Sequence, residues 1–256
     1  TGVTILMIRT MLSGVLMIGL PLVAASDTTL NYDDGGNMTR LVIAGGKVRF
    51  DDAREKNWML FDGSRRVMIL VDPEKREFTE MDEATLESLH ATVDAVMTRM
   101  ETELARLPPE MQAQMRQMMG NSLPGGGAAR RMRLESTGQV SEAAGHRCGV
   151  MRMMVDDRVE SDVCLAPASE LGLPATDAAV VAEWQSFARS LAEKASRFVS
   201  LDAEIFGDGG QLPVIYDHPG SERRGVLTGV GLDPVDAGLL QVPDGYSENR
   251  MEAPLP

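Results

Sequence analysis

The sequence predicts an α+β fold built on an antiparallel sheet with two or three helices. Short runs of β-forming residues, separated by Gly, Asp and Asn, fill residues 28–81 and return from residue 131. Two longer segments repeat apolar residues at helical spacing. A hydrophobic content of 43% suffices for a packed core, so most of the chain is predicted to form one large domain.

The N-terminal residues have the order of a secretory signal peptide. Arg9 precedes an apolar run over residues 11–23, and small residues follow that run. Cleavage is predicted after Ala25 or one residue later, so that 1–25 is the signal peptide and 26–256 is a single periplasmic domain. A retained transmembrane anchor needs about 20 apolar residues, and this run is shorter. We therefore expect a periplasmic or secreted bacterial protein with no stable membrane span after cleavage.

Six strands are predicted before residue 82, joined by turns rich in Gly and Asp. They cover Thr28–Tyr32, Met38–Ala44, Lys47–Asp51, Asn57–Phe61, Val67–Val71 and Glu77–Met81. The run Val67–Val71 is apolar throughout, as expected of a central strand covered on both faces. Together these strands predict an antiparallel meander.

A long amphipathic helix is predicted over Glu83–Arg106, because apolar residues recur on one face and Asp82 offers an N-cap. A short helix is predicted over 110–119, after two prolines. With the glycine-rich loop that follows, these helices form a helical insertion over residues 83–127.

Strands and one further long helix are predicted in the second half. The strands cover 131–135 and 138–140, the helix covers 177–199, and later segments cover 212–216, 224–232 and 239–246.

The only two cysteines lie in a stretch that reads as a mirrored hairpin. Centring the turn on Asp156 places Cys148 directly opposite Cys164, close enough for a disulfide after a modest adjustment. An exported protein meets an oxidising compartment, which favours this bridge over two free, buried thiols.

The order of elements ends in Leu-Leu-Gln-Val-Pro-Asp-Gly-Tyr at 239–246, and Glu-Leu-Gly-Leu-Pro at 170–174 follows the central hairpin. In this layout the chain resembles the bacterial lipoprotein carriers LolA and LolB, and most of all the secreted families of unknown function allied to them. The resemblance implies an incomplete, strongly curved antiparallel barrel that wraps around the helices and leaves an apolar hollow. It implies no catalytic residues.

The predicted function is a non-enzymatic periplasmic carrier or binding protein. Its ligand is expected to be hydrophobic, a lipid or a lipoprotein acyl chain held in the hollow between sheet and helices. The predicted lining comprises Val67, Ile69 and Val71 from a strand and Leu89, Val93 and Met97 from the long helix. The same side chains also suit a filled core, in which case the protein is an envelope domain that binds another protein through its surface.

Methionine supports a third hypothesis. Met111, Met115, Met118 and Met119 follow a helical spacing, and thioether sulfur is a ligand for Cu(I). Flexible methionines more often fill a core or line an adaptable apolar surface, so no metal site and no cofactor is predicted.

Charge and motifs exclude other classes. A net charge of -13 argues against nucleic acid and against an anionic membrane surface, which both attract Lys and Arg. The three histidines are dispersed, and Gly-x-Ser-x-Gly is absent from the sequence. Carboxylate pairs such as Asp51 and Asp52 are interpreted as solvated turn and strand residues. The sequence therefore predicts no enzyme, and its expected partner is a hydrophobic small molecule, an acyl chain or an envelope protein.

Overall fold

The computed structural model describes residues 27–52, 54–108, 111–112, 132–195, 209–217 and 224–250, apart from some side chains within these ranges. The predicted signal peptide, most of the predicted helix over 110–119, and Met115, Met118 and Met119 lie outside the described residues. So do the side chains of Leu89, Val93 and Met97.

The elements with described bounds are twelve strands, two long helices and one 3₁₀ turn. The strands before the first helix are β1 Thr28–Asp34, β2 Asn37–Ala44, β3 Lys47–Asp52, β4 Trp58–Asp62, β5 Val67–Asp72 and β6 Glu77–Met81. The later elements are α1 Glu83–Ala105, β7 Met132–Ala143, β8 His146–Val155, β9 Arg158–Pro167, α2 Ala175–Ala195, β10 Gln211–Asp217, β11 Arg224–Gly231, the 3₁₀ turn Ala237–Leu240 and β12 Ser247–Glu248.

All strands belong to one sheet, in the order β12-β6-β5-β4-β3-β2-β1-β11-β10-β9-β8-β7. β12 runs parallel to β6, so the sheet is mixed, and its outermost strands do not pair with each other in the described part of the chain. The predicted α+β fold, a curved antiparallel sheet wrapped around helices as an incomplete barrel, is therefore wrong. The fold is dominated by one open sheet of twelve strands. Its largest strands are β7, β8 and β9, with 12, 10 and 10 residues.

The inner face of the sheet is defined here as the face that α2 covers. Alternate residues of β1 to β4, including Leu30, Leu41 and Phe61, point to this face. They form one buried cluster with Trp184 and Phe187 of α2, and the rings of Phe61 and Phe187 lie 5.4 Å apart. The inner face is thus the principal hydrophobic core.

The helices form a second layer above that face. Asp82 caps α1 as predicted, because its Oδ1 accepts a 2.7 Å hydrogen bond from the Thr85 amide. α2 packs on β2 and β3, whereas α1 packs chiefly on α2. The hydroxyl of Thr28 donates to Asp177 Oδ2 at 2.6 Å and ties β1 to the first turn of α2. Burial raises the pKa of that carboxyl above its ordinary value, and the nearby Asp27 adds to the rise.

A C-terminal strap, residues 235–246, covers the opposite, outer face. Its Leu240 joins a second buried cluster made by outer-face residues of β2, β4 and β5. Lys47 Nζ and Arg49 Nη1 donate to the carbonyls of Leu240 and Leu239 at 3.2 and 2.8 Å. The guanidinium of Arg49 also lies 3.8 Å from the ring centroid of Trp58. The strap therefore explains why Val67–Val71 is apolar although β5 lies near one edge of the sheet rather than at its centre.

The predicted disulfide between Cys148 and Cys164 is confirmed, with Cα atoms 5.4 Å apart. The predicted register of the hairpin is wrong, because the hairpin turns on two residues, Asp156 and Asp157, and a β-bulge follows in β9, where Glu160 is the extra residue. Cys164 consequently lies opposite Val150 rather than opposite Cys148. A disulfide of this kind is maintained in oxidising compartments. Within the described residues, no helix is both long enough and apolar enough to cross a membrane.

Removing the disulfide is expected to destabilise the fold. A variant with both Cys148→Ala and Cys164→Ala should lose about 3 kcal/mol of unfolding free energy, because the unfolded chain regains the entropy of an open loop. Urea denaturation measures this loss, and wild-type protein treated with dithiothreitol should show a similar one. A loss below about 0.5 kcal/mol, the range of neutral surface substitutions, would contradict a structural role for the bridge.

Candidate functional site

The three predicted ligand-binding residues of β5 do not face the helical layer. Val67, Ile69 and Val71 point to the outer face, where they are 3%, 3% and 0% exposed beneath the strap. Their neighbour Met68 points to the other side and belongs to the buried cluster on the inner face. The period of two along a strand dictates this, because consecutive residues point to opposite faces. The counterparts predicted on α1 are Leu89, Val93 and Met97, whose side chains lie outside the described residues.

An apolar row crosses the inner face of the five strands β1 to β5. Its members lie directly opposite one another in successive strands and are Leu30, Leu41, Phe50, Met59 and Leu70. The polar Thr79 of β6 lies opposite Leu70. Exposure rises along the row, from 0% at Leu30 through half-buried Phe50 and Met59 to 40% at Leu70. We call Phe50, Met59 and Leu70 the apolar strip. It is the part of the inner face where exposure increases away from the buried cluster under α2.

A polar cluster lies beside the buried end of the apolar row, in the next row of inward-facing residues along β1 to β3. Its members are Tyr32, Asp34, Thr39, Asp52, Arg54 and Tyr216. Tyr32, Thr39 and Asp52 form the row next to Leu30, Leu41 and Phe50, since they are opposite one another in β1, β2 and β3. The sheet therefore places buried polar groups directly against an apolar surface.

Gly225 allows Tyr216 to reach this cluster. In β11, Gly225 lies between Tyr216 of β10 and Asp34 of β1, opposite both. A Cβ atom on Gly225 would overlap the ring of Tyr216, so that ring occupies the space above the glycine. The rings of Tyr32 and Tyr216 then meet edge to face, with centroids 5.9 Å apart.

Arg54 holds the carboxylates of the cluster. Its Nη2 lies 2.8 Å from Asp34 Oδ2 and 2.6 Å from Asp52 Oδ2, and its Nε donates to Asp52 Oδ1 at 3.0 Å. The side chain of Asp34 is 0% exposed and that of Asp52 is 14% exposed. The guanidinium of Arg54 thus bridges the two carboxylates and holds them together on the inner face.

Both phenols of the cluster stay protonated at neutral pH. Burial raises the pKa of Tyr216 to about 12, the charge of Asp34 adds to the rise, and the Thr39 hydroxyl opposes it. Burial also raises the pKa of Tyr32 above its ordinary value, with a further contribution from Tyr216. Tyr32 is 4% exposed, and its hydroxyl has no hydrogen-bond partner among the described residues. The cluster therefore presents a neutral, buried hydrogen-bonding group.

The interactions that this arrangement offers are hydrogen bonds and apolar contacts. Arg54 is already engaged by two carboxylates, and the phenols do not ionise near neutral pH. Within the described residues, no group of three His, Cys, Asp or Glu side chains is placed to hold a metal ion. Of the methionines in the copper hypothesis, Met111 is described and is 49% exposed.

Sequence reasoning did not identify the polar cluster. The interpretation of Asp52 as a solvated residue is wrong, because it pairs with Arg54 on the core face. The available signal was the alternation of β1, in which Thr28, Leu30, Tyr32 and Asp34 are all buried. Once Leu30 is placed in the core, the period of two brings Tyr32 and Asp34 to the same face.

No protein-family model and no curated protein matches this chain. Two solved structures of PNGF-II, in space groups P21 and C2, resemble it with TM-scores of 0.42 and 0.41 at 9% and 10% identity. The matches cover 88% and 90% of this chain but 32% and 31% of the PNGF-II chains, so this chain spans about a third of their length. A likeness this weak carries no argument about fold or function. The resemblance to the lipoprotein carriers stays a prediction from the sequence.

Proposed function

We propose that the protein is a non-enzymatic binding protein of the bacterial periplasm or exterior that holds a hydrophobic ligand, a lipid or an acyl chain, on the inner face of its sheet. The observation that carries the proposal is the apolar strip, where the core row ends in a Leu70 that is 40% exposed. The strip is continuous with the buried core through Leu41 and Phe50. An acyl chain laid on Phe50, Met59 and Leu70 would extend that core.

The energetics favour a ligand with a long apolar part. Each methylene removed from water contributes roughly 0.8 kcal/mol, so several of them on the strip suffice for useful affinity. Half-buried Met59 suits this role, because an unbranched thioether side chain adapts its shape to irregular apolar partners.

Two observations support the proposed compartment. The N-terminal residues have the composition of a signal peptide, and the buried disulfide is typical of exported proteins.

The test is native mass spectrometry with lipid extraction, on protein purified from a bacterial periplasm. Wild-type protein is expected to carry lipid at a defined stoichiometry. Leu70→Asp should lower lipid occupancy about tenfold or more, because it places a charge on the strip. Val159→Asp is the matched control, since Val159 is 57% exposed on β9 and should leave occupancy unchanged. Equal loss in both variants would contradict a site on the strip.

The second candidate is an envelope domain that binds another protein through its surface. It is favoured by the outer face, where the strap seals Val67, Ile69 and Val71 completely with the protein's own residues. Wild-type protein that shows a clean ligand-free mass with an intact disulfide would favour this candidate over the carrier.

A further inference from the structure

We propose that the apolar strip holds an acyl chain of about eight carbons, which lies across the strands with its methyl end at Phe50 and its polar end at Thr79. This inference rests on the proposed function, because it concerns the acyl chain that the strip holds. It goes beyond that function by giving the direction and the length of the chain. Both follow from what surrounds the strip on the inner face.

One end of the strip is closed. Leu41, which lies opposite Phe50 in the apolar row, is 2% exposed and belongs to the buried cluster under α2. Leu30, one strand further, is 0% exposed. A chain on the strip therefore cannot continue past Phe50 in this direction. A methyl end suits this position, because it brings no polar atom against the core.

The two sides of the strip also confine the chain. On one side, the next inward-facing residues of the same strands are Val48, Phe61 and Met68, and each is at most 4% exposed in the buried cluster. On the other side, the next inward-facing residues include Asp52 of β3 and Asp72 of β5. An apolar chain laid there would remove water from their carboxylates, which is unfavourable. An acyl chain is therefore best placed along the row itself.

The open end of the strip lies towards β6. Leu70 is 40% exposed, and the residue opposite it in the next strand is Thr79. The hydroxyl of a threonine both donates and accepts hydrogen bonds. The polar end of the ligand is therefore expected at Thr79, where it does not have to enter the core.

The strip sets the length of chain that it covers. Phe50 and Leu70 lie two strands apart, and neighbouring strands are about 4.8 Å apart, so the strip is about 10 Å long. An extended acyl chain advances roughly 1.3 Å per carbon, because its bonds of about 1.5 Å follow a zigzag. About eight carbons therefore span the strip. Methylenes beyond that number pass Thr79 into water and contribute little to affinity.

The experiment measures the affinities of four 1-monoacylglycerols, with six, eight, ten and twelve acyl carbons, by isothermal titration calorimetry on the lipid-free, disulfide-bonded protein. The head group is the same throughout, so differences report on the chain alone. From six to eight carbons, wild type is expected to bind about fourfold more tightly, for added methylenes that are about half covered. From ten to twelve carbons, the gain should be about twofold or less, because these methylenes lie beyond the strip.

Thr79→Leu tests the direction of the chain. It adds an apolar side chain at the open end and lengthens the strip by one strand, so the step from ten to twelve carbons should now tighten binding about fourfold. Thr79→Ser is the matched control, since it keeps a hydroxyl at the same position and should retain the wild-type response. Thermal unfolding of the ligand-free variants verifies that both are folded.

Three results would contradict the inference at different levels. A wild-type affinity that continues to rise about fourfold with every two carbons up to twelve would overturn the length limit and leave the carrier function intact. A response of Thr79→Leu identical to that of wild type would overturn the direction along the row. Binding of none of the four compounds would overturn the proposed function itself.

Discussion

Gly225→Ala is expected to lower the free energy of unfolding by about 1 to 3 kcal/mol, the usual cost of inserting a methyl group into filled space. The space above Gly225 is occupied by the ring of Tyr216, which a new Cβ would overlap. The ring cannot retreat freely, because it is packed edge to face on Tyr32. Urea denaturation of both proteins measures the difference.

The control is Gly229→Ala in the same strand. A Cβ on Gly229 meets no atom within 4 Å, and its φ is not in the left-handed region, so the substitution should stay within about 0.5 kcal/mol of wild type. In a Tyr216→Ala background, Gly225→Ala should lose most of its cost, because the clashing ring is gone. An undiminished cost in that background would mean that the strand itself, rather than Tyr216, rejects the methyl group.

Local signals predicted the first half of the chain well. Alternating apolar residues between Gly and Asp turns located β1 to β6, and Asp82 marked the start of α1. These features depend on neighbours a few residues apart, such as the Asp82 side chain and the Thr85 amide, so a single sequence contains them.

Long-range features were not predictable in the same way. The apolar run Val67–Val71 predicted that the strand is covered on both faces. The sequence did not indicate that the cover of the outer face is the strap, which lies about 170 residues later in the chain. Lys47 holds the strap in place by donating a hydrogen bond to the carbonyl of Leu240. The exposure of Leu70 depends on how the helical layer is placed over the sheet, and α1 packs chiefly on α2. A single sequence does not indicate that placement. The disulfide was predictable from the hairpin. The register of the two hairpin strands depends on a β-bulge, which has no clear sequence signal.

Arg54→Leu is expected to lower the free energy of unfolding by about 3 to 5 kcal/mol at neutral pH. The reason is Asp34, whose side chain is 0% exposed and lies 2.8 Å from the guanidinium. Without Arg54 that carboxylate stays buried and loses the guanidinium that pairs with it, and removing one partner of a buried ion pair costs far more than an exposed ion pair gains. Urea denaturation at pH 7 measures the loss.

Two controls separate this explanation from a general sensitivity to losing arginine. Arg224→Leu breaks an ion pair with Asp217 in which the arginine is 60% exposed, and it should cost no more than about 1 kcal/mol. Adding Asp34→Asn to Arg54→Leu should restore part of the stability, since it removes the buried negative charge while keeping the shape of the side chain. If Arg54→Leu costs no more than Arg224→Leu, water must reach Asp34, and the cost of burying its charge does not explain the stability of this ion pair. The cost of losing Arg54 therefore measures how far water is excluded from the inner face around Asp34.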